Sequence, residues 1–372
     1  MRKVLFVAGE ASGDLHAAGV AAALRRIRPE LLLAAVGGRR LAEEGVQLIH
    51  RDEQLGVMGF LEVLKHVPRH FLLLRTMRKM FERGEVAVLI LIDYPGFNMK
   101  VAAAAKRAGV PVLYYVTPQV WAWGAGRIPK LAQLITKAAV ILPFEEPLLR
   151  GFGIDATFVG HPLLDRAVDM PTKVEAREAL RLALNTPVLA LFPGSRQQEI
   201  DRHIDDFVAT ARELQRRIPG LQVLVSVAPT VALDSTRCPF RLVHSASLSV
   251  LRAADVALCK SGTTTLEAAI ADCPLIVAYR TGRINYAVAR RVVKVPNIGL
   301  VNVVAGREVA REFIQDEIEP SMMADALGEI LKDGPRRQEV LTGLAEVRSK
   351  LGSPGAADRV AQMASGLAGP RG

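Results

Sequence analysis

Short uninterrupted apolar runs recur along the chain and alternate with stretches in which apolar residues return every three or four positions. Runs of the first kind, rich in β-branched residues and nearly free of charge, predict strands buried on both faces; the others predict amphipathic helices. Strands are expected at 3–8, 31–36, 46–49, 86–92, 110–116, 138–142 and 156–159, with helices between them. Such alternation indicates a doubly wound parallel sheet. Around 165–187 the strand signal lapses into a charged helical stretch, which reads as a linker. A second series follows at 188–192, 221–225, 240–243, 256–258 and 275–278. The pattern predicts an α/β protein of two Rossmann-like domains, 1–168 and 169–340, with a helical part from 320 onward that frays at its end.

Size agrees with this division, because 372 residues with 50% hydrophobic content exceed one ordinary core. The longest charge-free run, 108–126, carries two prolines and three glycines and is no transmembrane helix. The apolar stretch 4–8 is too short for a signal-peptide core, and Glu10 and Asp14 follow at once, so a cytosolic protein is expected. Cys238, Cys259 and Cys273 lack Cys-x-x-Cys spacing and read as reduced core residues. A net charge of +10 calls for an anionic partner: nucleic acid, an anionic membrane surface or phosphorylated substrates.

Candidate chemistry gathers where strands end. Asp93 follows the run 86–92, which Pro95-Gly96 stops, so its carboxylate is expected at a strand's C-terminal end, where α/β sheets bind ligands. It either does chemistry there or caps a helix expected near Phe97. Residues 9–14, Gly-Glu-Ala-Ser-Gly-Asp, form a loop between a strand and a helix, without the Gly-x-Gly-x-x-Gly spacing of dinucleotide sites. Pro193-Gly194-Ser195-Arg196 is either a phosphate clamp, through the Ser195 hydroxyl and the Arg196 fork, or a plain turn before a helix near Glu199. In Lys260-Ser261-Gly262-Thr263-Thr264-Thr265-Leu266-Glu267, hydroxyls, a glycine and a helix start suit phosphate. Glu267 there either accepts from ribose hydroxyls or closes a capping box with Thr264.

Residues 114–123 hold both tryptophans, either stacking on substrate or filling the core, and His161 either reaches the site or is a hinge or core histidine. The segment 58–83 is apolar and strongly basic, with Lys65, Arg69, Arg75, Arg78 and Lys79 among its charges, and Pro68 is expected to kink or split any helix there. It is either a membrane-interface segment or a packed helix with a solvated basic face. No metal site emerges: there is no Asp-x-Asp near a strand end, no His-x-x-x-His and no cysteine cluster.

Several strings carry a resemblance. Residues 9–14, Met-Gly-Phe-Leu-Glu-Val-Leu (58–64), Ile-Asp-Tyr-Pro-Gly-Phe-Asn (92–98), Pro-Gln-Val-Trp-Ala-Trp (118–123), Leu-Pro-Phe-Glu (142–145) and Phe-Val-Gly-His-Pro (158–162) resemble the lipid-A-disaccharide synthase family. So do Phe-Pro-Gly-Ser-Arg (192–196), Ser-Gly-Thr-Thr-Thr-Leu-Glu (261–267) and Asn-Val-Val-Ala-Gly-Arg-Glu (302–308), in the same order over nearly the whole chain. The resemblance implies the GT-B glycosyltransferase fold, two Rossmann-like doubly wound domains facing a central cleft. It also implies inverting transfer of 2,3-diacylglucosamine from UDP-diacylglucosamine to the 6-hydroxyl of diacylglucosamine 1-phosphate, with no cofactor.

By the same resemblance Asp93 is the general base, or orients the group that is. Gly194, Ser195, Arg196, Ser261, Gly262, Thr263 and Thr264 hold the diphosphate, Glu267 holds the ribose and Asn302 lines the nucleotide side. Glu10, Ser12, Gly13, Asp14 and Trp121 border the acceptor. Lys260 stands where relatives more often have a small residue, and its charge either adds to phosphate binding or faces solvent; Val301 stands where proline is common. The basic segment would draw anionic, acylated substrates from the cytoplasmic face of the inner membrane, making the protein peripheral there, with no nucleic-acid partner. A homodimer with exchanged C-terminal segments is implied too, 341–372 packing on an N-terminal domain. Two other readings remain: a UDP-N-acetylglucosamine 2-epimerase-like enzyme, or a non-catalytic UDP-sugar- or lipid-binding peripheral protein.

Overall fold

The computed structural model describes residues 2–369 apart from 10, 52–59, 124, 230, 283–285 and 287–295, and for 51, 60–69, 123 and 125 the backbone alone. Contacts divide the chain into two units, Met1–Asp165 with Gly352–Gly372, and Arg166–Leu351.

The first unit holds β1 (Lys3–Ala8), β2 (Leu32–Gly37), β3 (Gln47–Arg51), β4 (Val86–Ile92), β5 (Val112–Tyr115), β6 (Lys137–Val140) and β7 (Ala156–Phe158). They form one parallel sheet in the order β3-β2-β1-β4-β5-β6-β7. β4 shows why the chain folds so. Its seven residues are all apolar, so the strand can only sit centrally with both faces covered. Leu89 and Leu91 point into one core with the helix Pro95–Arg107, while Val88, Ile90 and Ile92 point into the other with the helix Ala11–Ile27. Each such side chain contributes about 1.5–3 kcal/mol by leaving water.

The second unit holds β8 (Val188–Phe192), β9 (Gln222–Val227), β10 (Arg241–His244), β11 (Val256–Lys260), β12 (Leu275–Tyr279) and β13 (Glu312–Ile314). Their order is β10-β9-β8-β11-β12-β13, again all parallel. The sequence reading missed β13, whose three residues begin on a charged glutamate and carry no apolar run.

Three expectations change. Instead of a linker, the stretch 166–187 is packed structure of the second unit, and Asp165 closes the first. Its helix Lys173–Ala179 starts in a Thr172/Glu175 capping box, and buried Arg177 and Lys173 both pair with Asp255, at 2.7 and 2.5 Å. The helix Pro335–Lys350 stays with the second unit, and only the chain from Gly352 returns to the first. There the helix Ala356–Leu367 buries Ala356, Val360, Ala361 and Ala364 in the core of Ala11–Ile27, and Asp165 accepts from the Gly355 and Ala357 amides at its start. Finally, Pro68 does not split the basic segment, since one helix runs from Phe60 to Glu82; proline withdraws a single amide from the ladder and the turns on either side persist.

The described part of that helix buries Leu73, Leu74, Met77, Met80 and Phe81. Arg75, Arg78 and Lys79 are exposed, and so are Phe71 and Leu72, at 66% and 64%. Among the described residues no helix is long and apolar enough to cross a membrane.

Candidate active site

In each sheet the strand order reverses once, between β1 and β4 and between β8 and β11. Loops leaving the carboxyl ends of strands diverge at such a point and open a crevice. Register pairs Ala8 with Ile92 and Phe192 with Cys259, so the loops 9–14 and 93–98 emerge side by side in the first unit. In the second unit the same holds for 193–196 and 260–264.

At the first switch point Asp93 and Tyr94 both have positive φ, 47° and 50°. Two successive non-glycine residues in this region cost of order 1–3 kcal/mol each and persist only where the surroundings hold them. The Asp93 carbonyl accepts from the buried Tyr114 hydroxyl at 2.8 Å and from Asn98 Nδ2 at 2.7 Å, and the Asp93 amide donates to the Tyr115 carbonyl. Burial, reinforced by the Asp93 charge, pushes the Tyr114 hydroxyl far above its ordinary pKa, so it stays a donor. Asp93 is not the helix cap: the helix starts at Pro95, Tyr94 is its N-cap, and no side chain caps it. Proline at N1 presets the φ that the first turn needs, and Asp93 just before it is half-buried.

The neighbouring loop fits closely. A Cβ on Gly9 would lie 2.4 Å from the Tyr94 ring, so only glycine lets this loop pass. Tyr94 in turn meets His70 Nε2 through its hydroxyl at 2.6 Å, tying the basic helix to the Asp93 turn. Ser12 is exposed and Gly13 buried against Ile92, whereas the Asp14 carboxylate accepts from the Gly38 and Arg40 amides at 2.7 and 2.8 Å. Asp14, expected on the acceptor side, thus pins the end of β2 through both carboxylate oxygens. Glu10, Met58 and Gly59 lie outside the described residues, as do the side chains of Lys65 and Arg69.

Trp121 donates to Glu145 at 3.1 Å and packs edge-on against Phe144. Glu145, not singled out from sequence, is 3% exposed and also accepts from the Leu142 amide. Burial, only partly offset by these bonds, raises its pKa to about 7. Because the folded value exceeds the unfolded one, this group's stabilisation is complete below pH 4.5 and is lost as pH rises through 7. Tryptophan fluorescence is expected to titrate with a midpoint near 7, and the step to vanish in Trp121→Phe; a flat profile would reject the assignment. His161 is a core histidine: burial and the nearby His16 charge lower its pKa to about 3, and neutral Nδ1 accepts from the Leu163 amide.

In the second unit Gly194 has φ 146°, and a Cβ there would lie 2.5 Å from Glu199 Cβ. Glu199 Oε2 accepts from the Ser195 and Arg196 amides at 2.9 and 3.3 Å, and its Oε1 pairs with Lys260 at 2.8 Å. The helix accordingly begins at Gln197, two residues earlier than expected. Burial opposes ionisation of Glu199, yet Lys260 and the Ser195 amide outweigh it and hold the carboxyl below its usual range. Lys260 thus does not simply face solvent.

The other loop is braced from below. Ser261 Oγ donates to the Ile298 carbonyl, while the Ile298 and Gly299 amides donate to Glu312. Asn302 completes this frame: its Nδ2 donates to Glu312 and the Ala310 carbonyl, and its Oδ1 accepts from the Val309 and Ala310 amides. Asn302, expected on the nucleotide side, is wholly buried, and both ends of its amide are bonded within this frame. Thr263 is exposed and Thr264 partly so, above a helix of seven residues, Thr264–Ile270. Glu267 forms no capping box; it is 7% exposed, bonded to Ser247 and paired with Arg166 at 3.2 Å. Burial raises its pKa despite Arg166. Sequence reasoning missed Glu199, Arg166, Glu312 and Tyr114, since a partner's identity depends on strands far apart in the chain. Among the described residues no group of three His, Cys, Asp or Glu could hold a metal ion.

Comparisons agree with this arrangement. A glycosyltransferase of kitacinnamycin has a solved structure that superposes with a TM-score of 0.66 at 17% identity, covering 98% of each chain. UDP-GlcNAc 2-epimerase from Neisseria meningitidis, solved with UDP-GlcNAc bound, gives 0.63 at 14% identity, covering 97% of this chain and 99% of its own. These likenesses show the GT-B type of fold, and the epimerase likeness is one of fold alone. In sequence, the lipid-A-disaccharide synthase of Myxococcus xanthus is 41% identical over 367 residues, 97% of this chain and 96% of that protein. The family model for lipid-A-disaccharide synthetase matches residues 4–364. With nearly its whole length matched, the chain belongs to the lipid-A-disaccharide synthase family.

Proposed function

We propose that the chain is an inverting hexosyltransferase joining UDP-2,3-diacylglucosamine to 2,3-diacylglucosamine 1-phosphate, giving the β-1,6-linked disaccharide 1-phosphate and UDP in lipid A biosynthesis. The family match carries the activity. One observation of geometry supports the mechanism: four of the strings through which the chain resembles the family, 9–14, 92–98, 192–196 and 261–267, lie at the switch points of the two sheets, and at the first of these Asp93 sits in a strained turn.

In this reading Asp93 takes the proton of the acceptor 6-hydroxyl as that oxygen bonds to the anomeric carbon. The anomeric bond to the diphosphate breaks on the opposite face, and UDP leaves with the electron pair. Arg196 and the exposed hydroxyls of Thr263 and Thr264 meet the diphosphate charge. Gly194 and Gly262, both with positive φ, let the backbone approach it. Ser12 and Trp121 border the acceptor. Incubation with both substrates and mass analysis of the products tests the assignment: the disaccharide 1-phosphate is expected, and its absence alongside intact substrates rejects it.

The basic helix serves the same purpose. Arg75, Arg78 and Lys79, beside exposed Phe71 and Leu72, suit the anionic cytoplasmic face of the inner membrane, where acylated substrates reside. Charge reversal at these three positions is expected to lower sedimentation with anionic liposomes, and unchanged binding would sink the idea.

A further inference from the structure

The Lys260–Glu199 ion pair stands between the two loops of the second switch point. Each half of it has a separate job. One Glu199 oxygen takes the Ser195 and Arg196 amides, so the protein's own carboxylate already occupies donors that an anion at this loop would otherwise use. Positive charge for a ligand anion must then come from side chains. Lys260 supplies it at the right place: its ammonium lies 3.8 Å from where a Gly262 Cβ would stand, and 5.6 Å from the Tyr279 ring. At Gly262 φ is 155°, a backbone conformation that a larger residue would adopt only with strain.

An ammonium has three donors and Glu199 takes one. With its side chain only 17% exposed, Lys260 is partly desolvated yet reachable, which strengthens its pull on an approaching charge. We propose that Lys260 is a substrate-binding residue that donates to the diphosphate of the bound sugar nucleotide from between the two loops, Glu199 being the positioning residue that holds its ammonium there. The inference rests on the second unit being the one that binds the UDP-sugar. It adds a contact at a position where, by the resemblance, relatives more often carry a small residue.

Calorimetric titration of the full chain with UDP, and with uridine by displacement, tests it. Lys260→Met is expected to weaken UDP roughly 10- to 100-fold, the range for losing a charge-assisted bond, while uridine changes less than about threefold. Lys260→Arg, which keeps the ion pair, should stay within about fivefold of the parent. The double variant Lys260→Met/Glu199→Gln separates direct contact from mere neutralisation of Glu199: it should remain as weak as Lys260→Met. Recovery of UDP binding in the double variant overturns the proposal, as does an arginine variant as weak as the methionine one. Parent protein that binds UDP with Lys260→Met unchanged also overturns it, leaving the UDP site itself standing. Parent protein that fails to bind UDP removes the site and the proposal together.

Discussion

Replacing Asp93 by asparagine is expected to lower turnover by roughly two to four orders of magnitude, the usual span for loss of a general base. UDP affinity should stay within about twofold. The substitution is near-isosteric, and Tyr114 and Asn98 hold the turn through the Asp93 carbonyl, which asparagine keeps. The strained pair at 93 and 94 should therefore survive while the proton acceptor is lost. Tyr114→Phe provides the contrast, because it keeps the carboxylate and removes one brace from its carbonyl. A loss of about tenfold in kcat, with UDP affinity unmoved, is expected there, the cost of one hydrogen bond whose rupture lets the turn relax. Steady-state kinetics with both substrates decides the matter. Asp93→Asn turning over within a few-fold of the parent would sink the role, and a large drop in UDP affinity would recast Asp93 as a structural residue.

Asn302→Leu is expected to destabilise the second unit by about 3 kcal/mol, near the upper end for single substitutions. The side chain is fully buried and makes four hydrogen bonds, so leucine leaves the Val309 and Ala310 amides and the Ala310 carbonyl without partners in an apolar setting. It also removes one of the two bonds to Glu312 Oε1, which keeps only the Gly299 amide, and Glu312 holds the backbone whose carbonyl accepts from Ser261. UDP binding should weaken along with stability. The urea midpoint of the second unit's transition measures this; a shift worth less than about 1 kcal/mol would show that the loop closes without the amide.

Much of the fold was legible because burial leaves a plain mark. The central strands of the first unit appear in the sequence as apolar runs, β4 most clearly, since a strand covered on both faces admits no charge, whereas the edge strand β3 carries Gln47, His50 and Arg51. The missed β13 has three residues and one apolar face, too little for any periodicity. The stretch 165–187 misled for a related reason: its charges read as solvated, yet Arg177 is buried because Asp255, seventy-eight positions later, supplies its partner.

The candidate site divides along the same line. Glycines at 9, 194 and 262 and the Pro95-Gly96 stop are local signals, and they located the loops correctly at strand ends. The work of individual side chains was not local. Asp14, Glu267 and Asn302 looked available to ligands, and each turned out to be bonded to backbone or to an oppositely charged side chain brought near by the sheet.

By itself the sequence determined the two doubly wound halves, the loops that bear chemistry and the family, because apolar periodicity and glycine placement are set by neighbours along the chain. Only the tertiary structure decided which carboxylates are committed to the protein. Asp14 spends its charge on the Gly38 and Arg40 amides, and Glu199 on two amides and Lys260. Pairing a buried charge is a property of space, and parallel strands bring together residues that the chain keeps far apart.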